Sequence, residues 1–133
     1  MTLARFAHPV RVYYEDTDAA GVVYYANYLK FMERARTEWL AARGVALAEL
    51  ERDSALVFVV TRADVAFRAP ARLGDLLMVG VDMVEHGRAR FIARQEITCS
   101  DRMVAEATVT LACLDISTWK PRKMPSNLLE TRT

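Results

Sequence analysis

Histidine, cysteine and net charge are all scarce in this chain, and each scarcity removes a class of chemistry. The only cysteines are Cys99 and Cys113 and the only histidines His8 and His86. Neither cysteine has a His or a second Cys at zinc-ligand spacing, so no metal site is expected. Both stand in alternating apolar runs and read as buried thiols of strands in a reducing cytoplasm. His8 precedes a proline near the terminus, and His86 falls in a turn with Gly87. With no Gly-x-Ser-x-Gly elbow either, a Ser–His or Cys–His nucleophile finds no support. The formal net charge of +1 gives no field that would gather nucleic acid or acidic membranes. No apolar run is long enough to span a membrane. Met1–Val10 carries Arg5, His8 and Pro9 among few aliphatics, which is not the pattern of a signal peptide.

The 133 residues suit one domain over 1–133, and at 53% hydrophobic they can build a core without disulfides. No repeat, low-complexity tract or linker interrupts them. Val10–Tyr14 alternates and reads as a strand. A helix is expected from about Asn27 to Arg43, because Tyr28, Phe31, Met32, Ala35, Trp39 and Leu40 recur at helical spacing. Lys30, Arg34, Arg36 and Glu38 take its other faces, and Gly44 is a natural stop. Leu47–Arg52 reads as a short second helix.

Strands follow. In the first, Val57, Val59, Thr61, Ala63, Val65 and Phe67 share one face, and Arg62, Asp64 and Arg68 the other. Its start, Leu56–Val60, is apolar on both faces, which predicts burial on both sides, against a second subunit on one of them. Then come Asp75–Glu85, with Leu77, Val79, Val81 and Met83 inward, and Arg88–Cys99. The last is Val104–Ile116, with Ala105, Ala107, Val109, Leu111 and Cys113 inward. Trp119–Thr133 reads as a tail. The fold class is α+β, a long central helix wrapped by a curved antiparallel sheet of about five strands.

Asp16 and Asp18 lie in a polar turn that leads into the start of the long helix. Turn formation and helix capping are the bland account of them. A calcium loop fails: Asp16, Asp18 and Gly21 match positions 1, 3 and 6, but Ala20 and Asn27 stand where oxygen ligands are needed. The remaining reading is chemical. A helix start presents backbone N–H groups without partners and attracts negative charge, so it can polarise a carbonyl. A thiol, with a pKa of about 8.5, leaves as thiolate without an acid. One carboxylate beside such amides therefore suits thioesters better than amides or oxygen esters.

Arg11-Val-Tyr-Tyr-Glu-Asp-Thr-Asp-Ala-Ala-Gly-Val-Val-Tyr-Tyr-Ala-Asn-Tyr28, with Glu33-Arg-Ala-Arg-Thr-Glu38, closely resembles the hot-dog-fold acyl-CoA thioesterases of the 4-hydroxybenzoyl-CoA thioesterase family. The branch it looks most like is the YbgC type associated with the Tol–Pal system. The likeness continues through Phe58-Val-Val60, Ala69-Pro-Ala-Arg-Leu-Gly-Asp75 and Lys120-Pro-Arg122. The resemblance implies that Asp18, the second Asp of the D-x-D motif, is catalytic as nucleophile or general base. It also implies that Tyr25 offers its backbone N–H to the thioester carbonyl. Branch members often carry His at that position, so only the backbone role transfers, since every non-proline residue has the N–H. Gly21, Val22 and Tyr24 are implied as substrate-binding. Arg88 and Arg90 read equally as an exposed strand end and as contacts for the CoA nucleotide, the role that the resemblance implies. Asp16 shapes the loop, and Asn27 is read as a cap. The family needs no cofactor, places its site at a dimer interface and commonly forms tetramers, so a homodimer or homotetramer is expected. The rival reading is a non-catalytic hot-dog module binding acyl chains or acyl carrier protein. A hydratase would want a His on or before the helix, and His8 alone is there.

Overall fold

A computed structural model describes residues 6–128. The elements run in the order β1 (Phe6–Arg11), a 3-10 turn (Tyr14–Asp16), α1 (Asn27–Ala42), α2 (Leu47–Ser54), β2 (Leu56–Phe67), β3 (Leu76–His86), β4 (Arg90–Cys99) and β5 (Arg102–Asp115). A second 3-10 turn, Ser126–Leu128, ends the described chain. The strands form one antiparallel sheet in the order β1-β3-β4-β5-β2. The sheet curves around α1, and β3, β4 and β5 form a meander.

The apolar stripe of α1 buries Tyr28, Phe31, Met32, Ala35, Trp39 and Leu40. Against it lie Leu77, Val79 and Val81 of β3, Phe91, Ala93 and Ile97 of β4, and Ala105, Ala107, Val109, Leu111 and Cys113 of β5. These are the inward residues that alternation predicts. Phe91 is the hub, 5.7 Å from Trp39 and 5.5 Å from Phe58 between ring centres. Gly44 at φ +82° ends α1, a conformation that costs glycine little.

Five expectations need correcting. The first strand stops at Arg11, not Tyr14. The Asp16 carboxylate accepts the Tyr13 N–H at 2.8 Å and winds Tyr14–Asp16 into a turn, leaving Tyr13 and Tyr14 exposed. β2 carries a bulge between Val60 and Arg62, which splits the face assigned to it. Phe58 and Val65 pack on the core, whereas Val57 and Val59 face the other side. In Leu56–Val60 only Leu56 is buried by the chain itself, and Val60 stays 47% exposed at the edge. Arg36 is buried, not surface. It lies one turn after Met32, on the flank of the apolar stripe, and its Nη1 donates to Oε1 of buried Gln95 at 2.9 Å. The segment read as a tail is part of the fold as far as Leu128: Met124 and Leu128 are buried in the core. Of the tail, residues 129–133 lie outside the described residues.

Asp115 anchors that return. Its carboxylate accepts from Ser117 Oγ and Ser117 N–H at 2.8 Å each, from Thr118 N–H at 3.2 Å and from Arg122 Nη1 at 3.0 Å. The Ser117 contacts, chiefly, hold its pKa down to about 2. A carboxylate lowered in the folded state stabilises above its unfolded pKa, and that help fades as pH falls toward the folded value. The 115–122 turn should therefore loosen between about pH 4 and pH 2. An NMR titration of Asp115 checks this, and Ser117→Ala should raise the midpoint toward the ordinary Asp range.

Candidate active site

The D-x-D segment folds as a small hairpin. Thr17 bridges Val23, Asp18 N–H donates to Val22 C=O, and Gly21 N–H returns to Asp18 C=O, both at 2.9 Å. Gly21 closes the turn at φ +80°, with open space where a Cβ would stand. Its part is turn geometry, which a β-carbon would strain. Val22 bridges Arg72, and Val23 N–H donates to Ala71 C=O at 2.8 Å, so the hairpin is sewn to the loop before β3.

Asp16 and Asp18 occupy opposite environments. Asp16 is buried, and its C=O receives Tyr24 N–H and Asn27 Nδ2, each at 2.9 Å. It organises the loop, as expected. Asn27 is not the cap: it is the first residue of α1 and spends its side chain on Asp16. Asp18 is exposed. Its Oδ1 accepts Ala20 N–H at 2.9 Å, while Oδ2 has no partner among the described residues. No ion pair holds it among the described residues.

The return limb of the hairpin runs directly into α1. The helix has no side-chain cap. The amides of Asn27, Tyr28 and Leu29 reach back to Tyr24, Tyr25 and Ala26 carbonyls in tight turns at 2.8–3.2 Å. Tyr25 and Ala26 N–H have no hydrogen-bond partner among the described residues. The Tyr25 amide therefore sits unpaired at the positive end of the helix, just beyond the limb paired with Asp18. Tyr24 and Tyr25 are exposed and touch ring to ring at 5.1 Å. Tyr28 is buried, and burial raises its phenol pKa, so the neutral oxygen accepts Ala71 N–H at 3.1 Å.

Arg88 and Arg90 lie far from this hairpin within one chain. Phe67, beside Tyr25 at 5.7 Å, pairs with Ala105, whereas Arg90 pairs with Ala112. At about 3.4 Å per residue, roughly 24 Å of β5 separates those two positions. Both arginines are exposed; Arg90 makes a loose ion pair with Glu85 at 3.3 Å. Asp18 itself lies on open surface. Two grooves of the single chain lie among other residues: one of about 550 Å³ along Arg11, Tyr13, Tyr14 and Leu73, and one of about 290 Å³ on the outer sheet face at Asp64, Arg94 and Glu106.

The sequence profile of the thioesterase-like superfamily matches residues 12–131. The chain belongs to this superfamily. Among superfamily relatives, the acyl-CoA thioesterase YbgC of Haemophilus influenzae is 42% identical over 123 residues, covering 92% of this chain and 90% of its own. A 1,4-dihydroxy-2-naphthoyl-CoA hydrolase of Nostoc punctiforme is 30% identical over 125 residues, covering 94% and 84%. A probable thioesterase from Bartonella henselae has a solved structure that superposes with a TM-score of 0.86 at 35% identity, over 92% of this chain and 100% of that one. The α1 helix wrapped by five antiparallel strands is thus the hot-dog thioesterase fold that the D-x-D string implied.

The aromatic lining beside Tyr25 escaped sequence reading. Phe67 stands at the end of a strand whose alternation reverses at the bulge, and Thr61 fits either face. The only available signal was the run Val59-Val-Thr-Arg62, where apolar alternation falters.

Proposed function

We propose that the protein hydrolyses acyl-CoA thioesters to a carboxylic acid and CoA in the cytoplasm. The unpaired Tyr25 amide, at the end of the limb that pairs with Asp18, together with an Asp18 Oδ2 that has no partner among the described residues, carries this reading. Asp18 either attacks the thioester carbon, giving an acyl anhydride that water then opens, or takes a proton from the water that attacks it; the carbonyl oxygen, gaining charge, meets the Tyr25 N–H and the helix end. The thiolate leaves without an acid, which fits the absence of any histidine or lysine in the hairpin. Gly21, Val22 and Tyr24 border the substrate. The names of the superfamily relatives point to CoA thioesters as the substrate class. Both cysteines are free, in keeping with a reducing compartment.

A second copy completes the site. β2 pairs only with β5 among the described residues, so its other edge is open along an apolar strand. Two such edges pairing antiparallel about a two-fold axis set the Phe67 end of one beside the Leu56 end of the other. Arg88 and Arg90 of the second copy then approach the Asp18 end of the first and meet the CoA phosphates. Arg88→Ala should raise KM for acyl-CoA about 3- to 10-fold with kcat little changed. Arg90→Ala should do less, because Glu85 already neutralises part of its charge. A thioester of N-acetylcysteamine, which lacks the nucleotide, should feel neither substitution; equal effects on both substrates would remove the phosphate role.

Thiol release over a panel of aliphatic and aromatic acyl-CoA thioesters tests the function itself. Turnover of at least one member is expected. Binding of acyl-CoA or acyl carrier protein with no release from any would favour the non-catalytic module.

A further inference from the structure

β2 serves two alignments at once. Its first half sends Leu56 and Phe58 inward, where Phe58 meets Phe91 at 5.5 Å. Unbroken alternation from Phe58 would carry Arg62, Asp64 and Ala66 inward and turn Phe67 outward. The extra residue at the Val60/Arg62 register shift reverses this, so Ala63, Val65 and Phe67 stand opposite the inward residues Val109, Ala107 and Ala105. Phe67 is thereby delivered to the start of α1. Its ring lies 5.7 Å from Tyr25, edge to face at 84°, and 5.9 Å from Tyr28.

Besides Phe67, the Tyr25 ring meets only its exposed neighbour Tyr24, at 5.1 Å, among the described residues. Among the described residues the Tyr25 N–H is unpaired, and its C=O accepts only the 3.2 Å bond from Tyr28 N–H. Tyr28, by contrast, is buried and pinned through its Oη to Ala71. The contacts therefore run from Ala71 through Tyr28 and Phe67 to Tyr25. We propose that Phe67, aimed by the β2 bulge, is a positioning residue that clamps Tyr25 and so fixes the direction of the Tyr25 amide. This rests on the reading of that amide as the donor to the thioester carbonyl. Phe67 does not touch the reacting atoms. It acts through Tyr25, and an amide displaced by about 1 Å loses much of its effect on the transition state.

Steady-state kinetics and thermal unfolding of F67A, F67L and F67Y test the proposal on an acyl-CoA that the parent hydrolyses. F67A should lower kcat about 10- to 100-fold while KM stays within about threefold. F67Y, which keeps the ring, should restore most of kcat, and F67L should fall between. Parental kcat in F67A overturns the proposal. So does a change confined to KM, which would make Phe67 a substrate wall, or a failure of F67Y to rescue. If F67A does not fold, F67L and F67Y decide: equal kcat in the two overturns it. A parent without activity on any acyl-CoA would remove the functional reading and this proposal together, whereas an active parent with an undiminished F67A removes the clamp alone.

Discussion

Asp18→Asn should lower kcat for acyl-CoA hydrolysis about 10²- to 10⁴-fold, the span typical of losing a positioned base. The substitution keeps the acceptor that receives Ala20 N–H, so the hairpin turn should survive. It removes the charge and basicity of the second oxygen, the one without a partner. Folding should be unaffected, because the side chain is exposed and in no ion pair among the described residues. KM should change little, since the carboxylate acts on the transition state more than on the bound thioester. Asp16→Asn makes the contrast. Asp16 is buried and holds the loop, so its loss should appear as lowered stability together with lowered activity. Asp18→Asn protein as fast as the parent would reject the assignment.

The second large effect is on stability. Gln95→Leu should destabilise the fold by about 3 kcal/mol. Gln95 is fully buried beneath α1, takes Arg36 Nη1 on its Oε1 and donates Nε2 to the Met32 C=O, both at 2.9 Å. Arg36 is a buried cation whose burial lowers its pKa, with Glu33 pulling the other way. Leucine would leave the guanidinium without its acceptor and the Met32 carbonyl without its extra donor. Arg36→Leu together with Gln95→Leu should recover most of the loss, because the cost lies in an unpaired buried charge, not in the absence of the pair. Denaturant unfolding of the two singles and the double checks this. A double variant as unstable as the sum of the singles would contradict it.

Where one spacing dominates, the sequence was transparent. Tyr28, Phe31, Met32, Ala35, Trp39 and Leu40 specify α1 because the stripe is wide and uninterrupted. Alternation in β3 and β5 named their inward residues correctly because both strands lie inside the sheet, with the core on one face. Legibility failed where one local group overrides the pattern. The Asp16 carboxylate ends β1 early by capturing the Tyr13 amide. An extra residue at Thr61 reverses β2, and neither threonine nor the valines around it mark which face they prefer. Arg36 was misplaced because a charged side chain on the stripe's flank looks like a surface residue until Gln95, 59 positions away, is seen to meet it. The site divides in the same way. The D-x-D turn and the helix start are contiguous in sequence and were legible together. Phe67 reaches them only through sheet pairing, and Arg88 and Arg90 reach them only if a second copy pairs along β2.

One structure would test the central claim most directly: the protein crystallised with a non-hydrolysable acyl-CoA analogue in which a methylene replaces the thioester sulfur. The expected arrangement has the carbonyl oxygen about 3 Å from the Tyr25 nitrogen and an Asp18 oxygen about 3–3.5 Å from the carbonyl carbon, or one water away from it. A carbonyl bound elsewhere, with the Tyr25 amide facing solvent and Asp18 beyond reach of any bridging water, would contradict it.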